Sequence, residues 1–316
     1  MLGLLRLMLV WKQHLKGSPD MEKFLVSRDK KMSLQKPLVM GILNVTPDSF
    51  SDGGKFKTND EAVDFALQMV AQGADIIDLG GESTGPGSKD VSAEEELARV
   101  LPVLKLLKEK IGRGAGVAEG AWISVDTYKA EVARAVLEAG ADMINDVTAL
   151  RGGGHGAGAG QKMAEVLAKF DVPVVLMYCK DATARTTRNV VEYDDVIKTI
   201  GDFFEERIAV AVGAGIARSR LVLDPGMGAF VSAEPKYSLQ ILRRLREFES
   251  FKLPLLVGPS RKSFIGQVLD LPLTQRLEGT LAACAVAVMN GASILRVHDV
   301  QETRRVVDMV HNIIKN

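Results

Sequence analysis

Leu38-Val39-Met40-Gly41-Ile42-Leu43, running into Asn44-Val45-Thr46-Pro47-Asp48-Ser49-Phe50-Ser51-Asp52-Gly53-Gly54, is the stretch on which the fold turns. Six apolar or small residues in a row leave a strand no wet face. That pattern suits a parallel strand covered by helices rather than an antiparallel one with a solvated side. The same wording returns at residues 172–177 (VPVVLM) and 253–258 (LPLLVG). Working outward from these, short β-branched or Leu-rich runs predict strands over 38–43, 75–79, 122–125, 143–146, 172–178, 221–223, 255–257 and 294–297.

Helical periodicity fills the intervals and predicts helices over 60–72, 93–110, 130–139, 162–170, 190–214, 235–248, 275–290 and 301–314. Their ends carry the expected punctuation. Thr58-Asn59-Asp60-Glu61, Ser92-Ala93-Glu94-Glu95 and Thr127 are N-terminal signals, and Gly73, Gly140, Gly215 and Gly291 stand where a left-handed cap residue is wanted. Eight strands, each followed by a helix, predict an α/β fold: one closed (β/α)8 TIM barrel with an outer ring of helices. The alternative is a doubly wound open sheet, whose GxGxxG fingerprint does not follow the first strand.

Composition bounds the function. The 316 residues are 47% apolar and 25% charged, and 40 Lys plus Arg balance 40 Asp plus Glu. A net charge of zero argues against a large electrostatic footprint for nucleic acid or an anionic membrane. Cys179 and Cys284, the two cysteines, form neither a disulfide framework nor a CxxC site, which fits a reducing cytoplasm. The opening Leu2 to Val10 surrounds Arg6 and is too short to span a bilayer, which takes about 20 residues. Residues 1–31 are expected to be a poorly ordered N-terminal extension, with Met21 or Met32 as alternative starts, and residues 32–316 the barrel domain. The glycine-rich 152–160 lacks the ending of a P-loop and, like 113–120, predicts a connector.

In a parallel barrel, the residues just after the strands converge on one mouth. This chain places there Asn44; Glu82, Ser83 and Thr84; Asp126; Asn145 and Asp146; Asp224; Ser260, Arg261 and Lys262; and Arg296 with His298. Any one of them alone reads as a helix cap. Together they gather carboxylates, carboxamides and cations whose burial would cost stability without a ligand to pair them. Asp126 and Asp224 are suited to accept from a flat, amidine-like edge, and Asn145 and Lys262 to meet a carbonyl and a ring nitrogen, as in a pterin or purine. Arg296 and His298 stand where this fold takes phosphate, and His298 is expected to contact an anion rather than to move a proton. The loop from Asn44 to Gly54, eleven residues against the usual range of about 2 to 6, is suited to close as a lid.

These segments carry a family resemblance. The run from Gly41 to Gly54 and Asp78-Leu79-Gly80-Gly81-Glu82-Ser83-Thr84 resemble the two signature segments of the dihydropteroate synthases. Similar blocks follow in order: Ile123-Ser124-Val125-Asp126-Thr127, Ile144-Asn145-Asp146, Leu223-Asp224-Pro225-Gly226, residues 257–266 (VGPSRKSFIG) and Arg296-Val297-His298-Asp299-Val300. The resemblance runs from about Lys36 to the C-terminus. It implies a folate-pathway transferase that condenses 6-hydroxymethyl-7,8-dihydropterin diphosphate with 4-aminobenzoate, with Mg²⁺ as cofactor, a homodimeric assembly and no nucleic-acid or membrane partner. Carried over position by position, it implies Asp126, Asn145, Met177, Asp224, Lys262 and Arg296 around the pterin. Asn44, Arg296 and His298 would meet the diphosphate, Asn44 also the metal, and Thr84, Pro86 and Ser263 the aminobenzoate. Asp126, Lys262, Arg296 and His298 would carry the catalysis, a dissociative displacement that needs no strong base because an arylamine is neutral at pH 7.

The sequence also departs from that family. Gly85-Pro86-Gly87 stands where an Arg-Pro-Gly is usual, so a cation expected near the diphosphate and the lid is missing. Asp224-Pro225-Gly226-Met227-Gly228-Ala229-Phe230-Val231 shifts an aromatic by one place and drops a lysine, a wording similar to that of sulfonamide-insensitive relatives. Met177-Tyr178-Cys179 replaces Met-His-Met, and Thr127-Tyr128-Lys129 replaces Thr-Ser-Lys. Two rival functions follow: a methyltetrahydrofolate methyltransferase, which should lack the Ser260-Arg261-Lys262-Ser263 segment and the long lid, and a folate-binding homologue without turnover. The apolar stripe of Leu281, Ala285, Val288, Met289, Val306, Met309, Val310 and Ile313 predicts a face packed on the barrel that extends into a dimer contact.

Overall fold

The structure, a computed structural model, describes residues 24–46, 56, 58–112, 120–152 and 158–316. A hairpin of β1 (Phe24–Ser27) and β2 (Lys30–Ser33) leads into alternating strands and helices. In order these are β3 (Leu38–Asn44), α1 (Asn59–Ala71), β4 (Ile76–Gly80), α2 (Ala93–Gly112), β5 (Trp122–Asp126), α3 (Ala130–Glu138), β6 (Met143–Asp146) and α4 (Ala159–Leu167). There follow β7 (Val174–Met177), α5 (Val196–Gly213), β8 (Leu221–Asp224), α6 (Pro235–Arg244), β9 (Leu256–Val257), α7 (Ser263–Leu269), α8 (Leu277–Met289), β10 (Ile294–Val297) and α9 (Val300–Lys315).

Strands β3 to β10 pair in parallel in the order β8-β7-β6-β5-β4-β3-β10-β9. The ring closes between β9 and β8 through a single parallel bridge, Leu223 to Leu255, and the Leu223 N–H donating to the Pro254 carbonyl at 2.9 Å. This is the (β/α)8 barrel expected from the apolar runs.

Strand parity then divides the side chains. Outward positions such as Val39, Leu43, Ile77, Leu79, Ile123, Val125, Leu176 and Leu223 join the helices in one continuous core. Inward positions form a second, smaller cluster at the bottom of the barrel: Leu38, Met40, Ile76, Trp122, Met143, Val175, Val222, Leu256 and Ile294. Continued upward by twos, the same inward rows turn polar at Asp78, Ser124, Asp126, Asn145, Asp224 and Arg296. Period-2 alternation therefore does two jobs: it seals the floor with hydrocarbon and points polar groups at the mouth.

The floor is closed from below. Leu25 is buried in the lower cluster, with Met32 and Leu34 packed against it. Arg28, at the turn of the hairpin with φ of 55°, donates to the carbonyls of Ala141 (2.9 Å) and Leu137 (3.0 Å), and Lys30 pairs with the buried Asp142 at 2.7 Å. The expected boundary after residue 31 thus cuts through this hairpin. Residues 24–31 belong with the barrel because Leu25 covers an apolar floor that would otherwise face water.

The caps work as anticipated. Thr58 accepts from the Glu61 N–H at the start of α1, and Gly73, Gly140, Gly215 and Gly291 all adopt positive φ, from 93° to 102°. Three boundaries differ. Helix α5 starts at Val196 rather than 190, since the Asp195 carboxylate accepts from the Ile197 and Lys198 N–H groups. Helix α6 stops at Arg244 and continues as a 3-10 helix over Leu245–Phe251. Helix α7 was not anticipated as a separate element. On the last two helices, Val288 and Val310 are buried while Met289, Met309 and Ile313 are exposed. The lid expected from residues 44 to 54 falls largely on residues outside those described, as do 113–119 and 153–157 of the two connectors. Among the described residues no helix is long and apolar enough to cross a membrane.

Candidate active site

One cavity of about 180 Å³ at the C-terminal mouth is lined by Asn44, Glu82, Thr84, Asp126, Asn145, Met177, Asp224, Lys262, Arg296 and His298, with Ile42, Val147, Phe230 and Gly258 among the apolar walls. Every expected pterin and diphosphate residue is in that list. Pro86 and Ser263 are not. They line an adjoining cavity of about 630 Å³ that shares Gly85, Phe230 and Lys262 with the first. The site is therefore two joined compartments, with Lys262 and Phe230 at the partition.

Arg296, on β10, is the centre of the inner compartment. Its Nε donates to Asp78 Oδ2 at 2.6 Å and its Nη2 to Asp126 Oδ2 at 2.8 Å. Asp78 is fully buried and also accepts from Asn145 Nδ2 at 3.1 Å. Asp78 Oδ1 and Asn145 Oδ1, both buried, have no partner among the described residues, and of the two residues Asn145 lines the cavity. Asp224 Oδ1 accepts from the Gly226 N–H at 2.8 Å. The Lys262 ammonium lies 5.2 Å from the centre of the Phe230 ring. At the rim, Ser260 Oγ and His298 Nδ1 are 3.0 Å apart, and the His298 N–H donates to the same Oγ at 3.2 Å.

These contacts set the charge states. Burial pushes the Asp126 carboxyl up to about 8 against the pull of Arg296, and raises Asp224 against the pull of Lys262. Burial draws the Lys262 ammonium down to about 8, with Asp224 opposing. For Arg296 the burial penalty is more than offset by Asp78 and Asp126, so its guanidinium stays firmly charged. A permanent cation flanked by groups that titrate near neutrality is an arrangement for holding a polar heterocycle and an anion side by side.

Among the described residues no group of three or more His, Cys, Asp or Glu side chains could hold a metal ion. Asn44, exposed at the end of β3, offers one carboxamide oxygen beside Arg296 and His298. That donor set suits a magnesium ion taking most of its ligands from phosphate and water, and no ion that requires a protein cage.

Sequence reading missed Asp78 beside this site and met Phe230 only as the shifted aromatic of the segment from Asp224 to Val231. Asp78 had a signal, a carboxylate at an inward position inside the otherwise apolar Ile76-Ile77-Asp78-Leu79. The place of Phe230 between the compartments was not legible, because the 3-10 turn Gly228–Phe230 that carries it is positioned by contacts distant in sequence.

Comparisons with known proteins agree with this geometry. The family model described as pterin binding enzyme matches residues 40–298. The dihydropteroate synthase of Escherichia coli (strain K12) is 46% identical over 279 residues, covering 88% of this chain and 92% of that protein. Among solved structures, dihydropteroate synthase of Yersinia pestis in a sulfonamide drug complex superposes with a TM-score of 0.82 at 41% identity, covering 93% of this chain and all of that one. The Xanthomonas albilineans dihydropteroate synthase with 4-aminobenzoic acid gives 0.80 at 40% identity, covering 92% and 98%.

Proposed function

The chain belongs to the dihydropteroate synthase family of pterin-binding enzymes, and we propose that its two joined compartments each take one substrate of that reaction. The enzyme condenses 6-hydroxymethyl-7,8-dihydropterin diphosphate with 4-aminobenzoate, yielding 7,8-dihydropteroate and pyrophosphate. The observation that carries the assignment of compartments is Arg296, held by two carboxylates in the cavity that it lines together with Asn145, Asp224, His298 and Asn44.

In this reading the pterin lies in the inner compartment. Asp224 accepts from its amidine-like edge, Asn145 and Lys262 meet ring nitrogen and carbonyl, Met177 packs against one face, and Arg296 lies against the other. Arg296, His298 and Asn44 hold the diphosphate. Magnesium bound through Asn44 and the phosphates would supply further positive charge to the leaving group. As the C–O bond to the diphosphate breaks, Arg296 and His298 take up the developing negative charge, and the Asp126 carboxylate faces the pterin methylene as it becomes cationic. The aniline nitrogen of 4-aminobenzoate, seated between Thr84 of the inner compartment and Pro86 and Ser263 of the outer one, forms the new C–N bond. Its lost proton goes to water or to the released pyrophosphate, so positioning outweighs base catalysis.

The protein works as a cytoplasmic homodimer. What supports the dimer is an exposed apolar groove of about 390 Å³ between α6, α7 and α8, lined by Leu239, Val268, Leu269 and Val286.

The test is pyrophosphate release by the purified protein given the pterin diphosphate and Mg²⁺, with and without 4-aminobenzoate. Release that depends on 4-aminobenzoate is the expected result. Pterin diphosphate bound without release would instead indicate a binding homologue.

A further inference from the structure

The wall of the inner compartment contains Glu82, Ser83, Thr84 and Gly85, of which Gly85 also lines the outer compartment, and it is held from behind by a cation that lines neither cavity. Glu82 is buried beneath three donors: the Tyr128 hydroxyl at 3.0 Å, the Lys129 ammonium and the Arg185 guanidinium. Lys129 is shared with Glu96, 2.5 Å away. Arg185 instead extends along the loop after β4, donating to the Lys89 carbonyl at 2.6 Å and pairing with the Asp90 carboxylate. Beside it, the Thr186 N–H donates to the Thr84 carbonyl at 3.3 Å.

The segment that delivers Arg185 is itself anchored. The Lys180 ammonium, with its side chain 3% exposed, donates to Asp181 (2.6 Å), Thr186 Oγ1 (3.2 Å) and the Thr187 carbonyl (2.8 Å). The Lys180 N–H donates to the Phe230 carbonyl at 2.8 Å, and the Thr186 hydroxyl to the Ala229 carbonyl at 2.8 Å. One loop, after β7, thus fixes Thr84, which lines the inner compartment next to the shared Gly85, and Phe230, which lines both compartments. Gly85 adds no side chain to this arrangement, although its backbone is ordinary and a Cβ there would meet nothing nearer than Ser83 Oγ at 3.7 Å.

We propose that Arg185 is a positioning residue for the aminobenzoate compartment, supplying from the loop after β7 the cation that the loop after β4 lacks at Gly85. It acts through Glu82, Lys89 and Asp90, which bracket the Gly85 and Pro86 that line the outer compartment, and touches neither substrate. The inference rests on the assignment of the two compartments given above. It predicts that Arg185→Ala raises the KM for 4-aminobenzoate about tenfold, equivalent to ~1.4 kcal/mol, with the KM for the pterin diphosphate within twofold. Arg185→Lys, which keeps the charge but loses the planar fork, should fall between. Adding Gly85→Arg to the Arg185→Ala protein should lower the aminobenzoate KM again, a rescue that no purely structural role would produce. Wild-type release of pyrophosphate is measured in the same assay. Its absence overturns the compartment assignment and this inference together. Wild-type release with an unchanged aminobenzoate KM in Arg185→Ala, or with both KM values rising alike and no rescue by Gly85→Arg, overturns the inference alone. Should Arg185→Ala fail to fold, the same comparison is made between Arg185→Lys and Arg185→Lys with Gly85→Arg.

Discussion

Lys262 and Asp126 are drawn toward the same pH from opposite directions, and this has a kinetic signature. In the proposed mechanism Asp126 serves as a carboxylate, so its contribution rises as pH climbs through about 8, and Lys262 as an ammonium, so its contribution falls through about 8. The kcat/KM for the pterin diphosphate should therefore trace a narrow bell near pH 8, with apparent values that belong to the coupled set. A profile flat from pH 6 to 9 would contradict this. Lys262→Ala should lower kcat/KM about 10²–10³-fold, the scale of losing one preorganised donor, while circular dichroism stays native; unchanged turnover would remove Lys262 from the pterin compartment. Most site residues were legible because each directly follows an apolar strand, where a polar side chain has no packing role. Arg185 was not, because the groups it serves, Glu82 and Asp90, lie about a hundred positions away and nothing local marks it.

At the scale of elements, helix ends were legible where a single residue decides them. Gly215, with φ of 94°, has open surroundings, since a Cβ would lie 3.8 Å from that of Ala168. Gly73, with φ of 102°, would press a Cβ to 2.8 Å from the Arg304 side chain, which bonds Asp75 and the Pro37 carbonyl. Gly215→Ala should cost about 1 kcal/mol from backbone strain alone, and Gly73→Ala measurably more, by urea titration. Equal costs would mean that the Arg304 side chain moves aside freely. Boundaries set by tertiary contacts were less legible. Residues 190–195 look helical in pattern, yet the Val191 N–H donates to Ser232 and the Tyr193 N–H to the Tyr237 hydroxyl, which hold them extended ahead of the Asp195 cap. The hairpin was missed for a similar reason: each of its strands sends few residues inward, so its alternation is faint.

For the whole molecule, the two ends of the barrel carry separate responsibilities. Leu25 closes the floor, far from Arg296 and Lys262 at the mouth. Leu25→Ala should lower stability by about 2–4 kcal/mol by leaving a void against Met40 and Ile294, with kcat/KM essentially unchanged at 25 °C. A matching loss of activity would show that floor and mouth are coupled.

The barrel is a ring with a clasp. Seven of its eight junctions are ladders, while the eighth is the lone bridge between Leu223 and Leu255. Asp224 directly follows Leu223 and Lys262 lies seven residues after Leu255, and both line the compartment proposed for the pterin. In the proposed binding mode a bound pterin acts as a pin across it. Amide exchange at Leu223 should be faster than at Ile77 in the free protein and should slow the most when pterin binds, so that the substrate completes the enzyme's own circumference.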